Sequence, residues 1–194
     1  AYNPLDVAVD KSGRLRFAYG DDEKGVVRLF IPADTKTEWA EIPHPDGPPE
    51  DVDLWGASSD GSVVYFTSTM KSGRQCFREY RAEGGIKDLE CVEQGVVGFP
   101  LFGFQDDKPY ALVTGDLPGQ IKYLDEQHPD ARLRLALQKA FGAQRVAIDS
   151  ATEDGQTVVA AVWSDRNPGD YYLVDRKTRK AQYLMSQRKW IDPA

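Results

Sequence analysis

The chain has 194 residues, a formal charge of −7 and a hydrophobic fraction of 41%, so its length suits one or two domains and its composition a sizeable core. The acidic balance, without a stripe or run of Lys and Arg, argues against a nucleic-acid partner. No apolar run approaches the ~20 residues of a membrane span, which argues against a membrane-embedded chain.

Ala1 to Leu5 reads as a lead-in. Asp6-Val7-Ala8-Val9-Asp10 alternates as a strand, and Lys11-Ser12-Gly13 turns it into Leu15 to Tyr19. Gly20 to Gly25 is a charged loop. Its three acids suggest calcium, but their spacing matches no EF-hand, and a solvated hairpin tip is the expectation. Val26 to Ile31 and Thr37 to Ile42 complete a first unit. Pro43-His44-Pro45-Asp46-Gly47-Pro48-Pro49 is a connection, because that much proline is incompatible with a central strand. His44 reads as a solvated loop histidine rather than a metal ligand, since no second ligand lies nearby in sequence.

The second unit runs through Asp51 to Ala57, Val63 to Phe66, Gln75 to Tyr80 and Ile86 to Val92. Its last reversal falls in Ala82-Glu83-Gly84-Gly85, where glycines permit positive φ. Cys76 and Cys91 are equidistant from the Glu83/Gly84 boundary. A reversal centred there opposes them at ~4.5–5.5 Å between Cα atoms, within disulfide range. A Cys76–Cys91 disulfide and two reduced, buried thiols both remain open, the choice depending on compartment. The third unit begins with Val96 to Phe104 and continues through Tyr110 to Thr114 and Ile121 to Asp125. A helix over 129–141 then interrupts the pattern. Pro129 suits its first turn, Asp130 its positive end and Gly142 its stop. Leu133, Leu137 and Phe141 form one stripe, expected to pack on the helix's own unit rather than on a partner. Arg145 to Ser186 gives the clearest unit: Arg145 to Ser150, Thr157 to Ser164, Tyr171 to Asp175 and Ala181 to Met185. Thr157 to Ser164 is apolar at both alternating sets of positions and should be buried on both faces.

The first turn of each unit recurs as Ser12-Gly13, Asp60-Gly61, Asp106-Asp107 and Asp154-Gly155, at intervals of 48, 46 and 48 residues. That period is close to the ~40–50 residues of known propeller repeats. The fold expected is all-β: a partial β-propeller of about four four-stranded antiparallel blades, roughly 5–43, 51–93, 96–143 and 145–187, with one helical insertion near 129–141. A β-sandwich with evenly spaced hairpins is the competing reading.

Little in the chain resembles reactive chemistry. Gly56-Ala57-Ser58-Ser59-Asp60-Gly61 has the wrong spacing for a nucleophile elbow. Two proline-flanked histidines, His44 and His128, make a Ser-His-Asp triad improbable. No phosphate loop, dinucleotide fingerprint or zinc spacing occurs. Asp21-Asp22 and Asp106-Asp107 could in principle serve glycoside hydrolysis, but turn chemistry explains them. The expectation is no catalytic residue, no cofactor and no metal.

Ser164-Asp165-Arg166-Asn167-Pro168-Gly169-Asp170-Tyr171-Tyr172-Leu173-Val174-Asp175-Arg176-Lys177-Thr178 resembles the final blade of the prolyl oligopeptidase family of serine peptidases, in its bacterial acylaminoacyl- and dipeptidyl-peptidase-like branch. Arg188 to Ala194 is similar to the linker into that family's α/β-hydrolase domain. Ser59 to Phe66 resembles the short repeat of Tol-type propellers. The resemblance implies a non-catalytic propeller that screens peptide substrates for a hydrolase domain absent from this chain. It also implies a periplasmic or secreted parent, although the chain shows no signal peptide and reads as a processed or cut piece. A free-standing interaction scaffold is the alternative, and a propeller glycosidase a weaker one. Four blades of a larger ring would leave apolar end faces, so self-association through them is a further expectation.

Overall fold

The computed structural model describes residues 2–33, 38–115 and 119–190. Its elements are β1 (Tyr2–Val9), β2 (Leu15–Asp22), β3 (Val27–Pro32), β4 (Trp39–Ile42), β5 (Asp51–Ala57), β6 (Val63–Thr69), β7 (Gln75–Arg81), β8 (Gly85–Val92), β9 (Phe99–Phe102), β10 (Pro109–Thr114), β11 (Gln120–Tyr123), α1 (Pro129–Phe141), β12 (Arg145–Ala151), β13 (Thr157–Trp163), β14 (Asp170–Asp175) and β15 (Lys180–Ser186). They form four antiparallel sheets whose strand order follows the chain: β1 to β4, β5 to β8, β9 to β11 and β12 to β15. This succession of meanders is a partial β-propeller, and no Greek-key crossover appears among the described strands.

The third sheet has three strands rather than four. Where the other blades add an outer strand, the chain turns into α1. Residues 34–37, 116–118 and 191–194 lie outside the described residues, so Thr37 of the expected fourth strand and the end of the expected linker go untested.

The hairpin turns explain the sequence period. In each blade an aspartate caps the first turn. Asp10 Oδ1 accepts from the Ser12 and Arg14 amides at 2.8 and 3.1 Å. Asp60 Oδ1 accepts from Ser62 N at 2.9 Å, Asp106 Oδ1 from Lys108 N at 3.2 Å and Asp154 Oδ1 from Gln156 N at 3.0 Å. A short carboxylate that bonds its own backbone two residues on closes the loop locally. The Ser58 hydroxyl and the Ser62 groups hold Asp60 down to about 2, and the Ser12 hydroxyl leads the bonds that keep Asp10 below the ordinary carboxylate range.

Two expectations for the first blade change. Tyr2 to Pro4 is not a lead-in but the start of β1, paired with Gly20 to Asp22. The charged loop is correspondingly shorter. The pairing depends on Gly20, where a Cβ would sit 2.4 Å from the Asn3 carbonyl oxygen. The third blade also opens later than expected: of Val96 to Phe104, only Phe99–Phe102 is strand.

The chain divides into two compact units, one of residues 1–101 and 112–122, the other of 102–111 and 123–194. In the first, blades 1 and 2 share a core of Ala8, Phe17, Val27, Leu29, Val52, Val64, Phe66 and Tyr80, with the Phe17 and Phe66 rings 5.3 Å apart. Strand β6 is buried along both faces. In the second unit Leu137 joins Val146, Val158, Ala160, Val162 and Val174. Helix α1 therefore lays its apolar stripe on the fourth blade and not on its own. A connection of three residues after Phe141 leaves it beside β12, and its stripe lies against that sheet, with Phe141 4.8 Å from Tyr172. The expectation that Thr157 to Ser164 is buried on both faces fails. Val158, Ala160 and Val162 are buried, while Val159 and Ala161 are half-buried and Trp163 is exposed.

Candidate functional site

Blade 2 holds a constellation of charged side chains built around one buried arginine, Arg78. The residue lies in the middle of β7, opposite Phe66 on one side and Asp88 on the other. A third strand between two neighbours leaves its side chains little water, and Arg78 is fully buried. A buried guanidinium must have all-round partners. Its Nε donates to Asp88 Oδ1 at 2.6 Å. Its Nη2 donates to Asp46, and its Nη1 donates to the Ser68 hydroxyl and presses on His44 Nε2. Arg74 lies outside it, 2.8 Å from Asp46 and 3.1 Å from Asp88, and reaches Glu93 at 3.4 Å. Burial works against charge on Asp88, but Arg78 and then Arg74 overcome it and keep its carboxyl below the usual range.

His44 is not the solvated loop histidine expected from its proline-rich surroundings. The 43–49 connection folds over blade 2, closed by Gly47 N donating to His44 O at 3.1 Å. This places the imidazole 3.0 Å from Ser68 Oγ. His44 Nδ1 accepts from Asp46 N at 3.2 Å. Its Nε2 faces two groups, the Ser68 hydroxyl and the Arg78 guanidinium, and the guanidinium can only donate. Ser68 Oγ accepts from Arg78, and it is itself buried. In a hydrolytic triad the ring accepts from the serine and donates from its other nitrogen to a carboxylate. Here that other nitrogen meets a backbone amide, and a guanidinium lies against both the ring and the serine. Burial first, and the Arg78 cation second, push His44 down to about 4.

Cys76 and Cys91 border this constellation. They are bonded, with S–S 2.09 Å and Cα atoms 4.2 Å apart. The register that opposes them differs from the simple mirror the sequence suggested. The reversal spans Ala82 to Gly84, and Gly85, at φ 67°, already pairs with Arg81. A bulge between Phe77 and Arg78 adds one residue on β8 and restores the Cys76–Cys91 pair. Arg74 Nη2 lies 3.4 Å from Cys91 Sγ, and Asp88 Oδ2 lies 3.3 Å from the same sulfur. The two sulfurs and Asp88 would make a ligand trio only as free thiolates.

The remaining nominated residues have local duties. Asp22 Oδ1 accepts from Lys24 N and Val26 N at 2.9 and 3.0 Å, capping a hairpin. Ser58 Oγ donates to Asp60 at 2.7 Å. His128 caps α1: its Nδ1 accepts from Asp130 N at 3.1 Å, its Nε2 lies 3.2 Å from Asp106, and its ring stacks on Tyr110 at 5.3 Å. Burial pushes Tyr110 up to about 12. Asp130 is more than a favourable charge at the helix start. It is buried, accepts from Phe104 N at 3.0 Å and pairs with Arg176. Sequence reasoning missed the Arg78 constellation entirely. One signal was present: a charged residue centred in an interior strand needs a partner on the adjacent strand, and register supplies Asp88.

No family model matches the chain, and neither does any curated protein. Among solved structures it is similar to the dihydro-heme d1 dehydrogenase NirN in complex with DHE (18% identity, TM-score 0.44, 96% of this chain and 38% of that one). It is similar also to TolB from Acinetobacter baumannii (13%, TM-score 0.39, 95% and 44%). A third is the β-propeller domain of Myceliophteria thermophila Cps50 (Swd1), at 15% identity and TM-score 0.30, covering 96% and 61%. The chain thus spans less than two thirds of each of these structures.

Proposed function

We propose that this chain is a binding and gating propeller whose polar side chains hold blades together and do not carry out a reaction. The observation that supports this most is the wiring of the Ser68–His44 pair. Its serine is buried and accepts from Arg78, and its imidazole is held neutral beside that guanidinium, with a backbone amide at the nitrogen where a triad has its carboxylate. An activated serine needs the opposite arrangement.

The finer reading is that the propeller screens peptides for an α/β-hydrolase domain elsewhere in a longer, periplasmic or secreted polypeptide. The resemblance of Ser164 to Thr178 to the last blade of prolyl oligopeptidase-family enzymes supports it. On this reading the propeller excludes folded proteins and admits short peptides. The test is the full-length polypeptide. A nucleophile elbow downstream of residue 194, together with cleavage of short peptides and not of folded proteins, is the expected result. A full-length protein with no hydrolase domain returns the chain to an interaction scaffold. The exposed apolar residues Tyr183, Leu184 and Met185 on β15 favour that second reading.

A further inference from the structure

Blades 1 and 2 enclose a cleft at the rim where their first and third hairpins turn. It has a volume of about 540 Å³, inside the ~300–1,000 Å³ range of small-ligand sites. Its walls combine two kinds of surface. Ile31, Val64 and Tyr80 supply an apolar floor continuous with the shared core, and the exposed Leu15 also lines the cleft. Arg14, Arg16 and Arg81 stand around it. We propose that this cleft binds organic monocarboxylates carrying an apolar arm.

The guanidiniums are positioned before any ligand arrives. Arg16 donates from Nε to Asp10 Oδ2 at 2.8 Å, and its Nη2 lies 2.7 Å from the same oxygen. Asp10 is in turn gripped by Ser12 Oγ at 2.6 Å and by the turn amides. The Arg16 guanidinium also lies across Gly61 of the next blade, whose missing side chain makes the room: a Cβ there would stand 2.4 Å from Arg16 Nε. Arg81 is held by Glu79, from Nε at 3.2 Å and Nη2 at 3.1 Å. Each of these two arginines spends one edge of its fork on an internal carboxylate and keeps its Nη1 for another acceptor. The planar fork matches a carboxylate. Side chains already fixed lose little freedom on binding.

Charge sets the ligand's valence. Arg14, Arg16 and Arg81 are opposed within the wall and immediately behind it by Asp10, Glu79, Glu83 and, acting on Arg81, Asp60. A site without surplus positive charge accommodates one added negative charge better than two, which favours a carboxylate over a phosphate dianion. The apolar floor requires that the carboxylate carry a hydrocarbon arm. A free branched-chain acid and the C-terminal residue of a peptide share this chemistry.

The experiment is an NMR titration of the intact, isotope-labelled chain with four probes: 4-methylpentanoate, N-acetyl-leucine, N-acetyl-leucinamide and phenyl phosphate. Both acids should shift the amides of Ser62, Glu83 and Gly84, with the amide probe at least about tenfold weaker. Tighter binding of N-acetyl-leucine identifies a peptide C terminus as the source, and tighter binding of 4-methylpentanoate a free acid. Arg14→Gln and Arg81→Gln should each weaken the acids about tenfold and leave the amide probe unaffected. Glu83→Gln should strengthen them, a change in a direction that misfolding does not produce. Equal affinity for acid and amide, no shift at those residues, tighter binding of phenyl phosphate, or a Glu83→Gln variant without gain overturns the proposal.

Discussion

Acid should destabilise this protein through one histidine before its carboxylates respond. His44 has an ordinary value of 6.5 and is pushed down to about 4 in the folded chain, by burial and by Arg78. The unfolded chain therefore binds the proton more readily. Stability that is fully present above ~6.5 is lost as pH falls towards 4, because the unfolded state takes up a proton the folded state refuses. A depression of that size corresponds to ~3 kcal/mol at most, and solvent around the half-buried ring leaves ~2 kcal/mol of it by pH ~4.5. For a chain of this length that is roughly 5–10 °C in Tm. Asp46 and Asp88 face the ring as well, and Asp88 is held low by its arginines, so carboxylate protonation adds its own loss mainly below that window. The assay is thermal unfolding at steps from pH 7 to pH 4.5, for the parent chain and for His44→Gln. The variant should begin ~1 kcal/mol less stable at neutral pH, having weakened the bond to Ser68, and should show a flatter acid limb. Parallel acid limbs in the two proteins, or an imidazole that titrates near 6.5 by NMR, would refute the reasoning.

Further outcomes follow from other parts of the fold. Gly20→Ala should cost more than Gly25→Ala in urea unfolding. Gly20 has an ordinary φ, but its Cβ meets the Asn3 carbonyl, whereas Gly25 at φ 70° opens to empty space and should lose only ~1–2 kcal/mol; the reverse ranking would contradict the paired start of β1. Protein denatured without reductant should expose no titratable thiol, and reduction of Cys76–Cys91, which closes a separation of 15 residues, should lower stability by ~3 kcal/mol; two free thiols would rule the bond out. We propose self-association through exposed apolar strands, Val7, Val9 and Leu15 on blade 1 and Tyr183 to Met185 on blade 4. Light scattering at low micromolar concentration should give about twice 21.7 kDa, and a stable monomer would count against it.

What could be read from the sequence was what is decided locally. The turns at Ser12-Gly13, Asp60-Gly61, Asp106-Asp107 and Asp154-Gly155 are closed by aspartates that bond to the backbone two residues on, so their recurrence carries the repeat without knowledge of packing. Pro129 and Gly142 bracket the helix for the same reason. What escaped depends on partners far apart in the chain. Arg78 resembles one position of an alternating strand until His44 and Asp46, more than thirty residues earlier, fold over it. The stripe of Leu133, Leu137 and Phe141 specifies that α1 must be covered but not by which sheet, and the short link to β12 decided it. The apolar run Thr157 to Ser164 likewise specifies what burial would favour, while its second face stays half-open.

The central claim is that the buried polar groups of blade 2 serve architecture and not turnover. Ester hydrolysis by the purified chain, compared with Ser68→Ala and His44→Gln at matched folded fraction, tests it most directly. The account predicts no activity that depends on either residue, together with a lowered Tm in His44→Gln. Turnover above the buffer rate that disappears in both variants while their Tm is unchanged would contradict it.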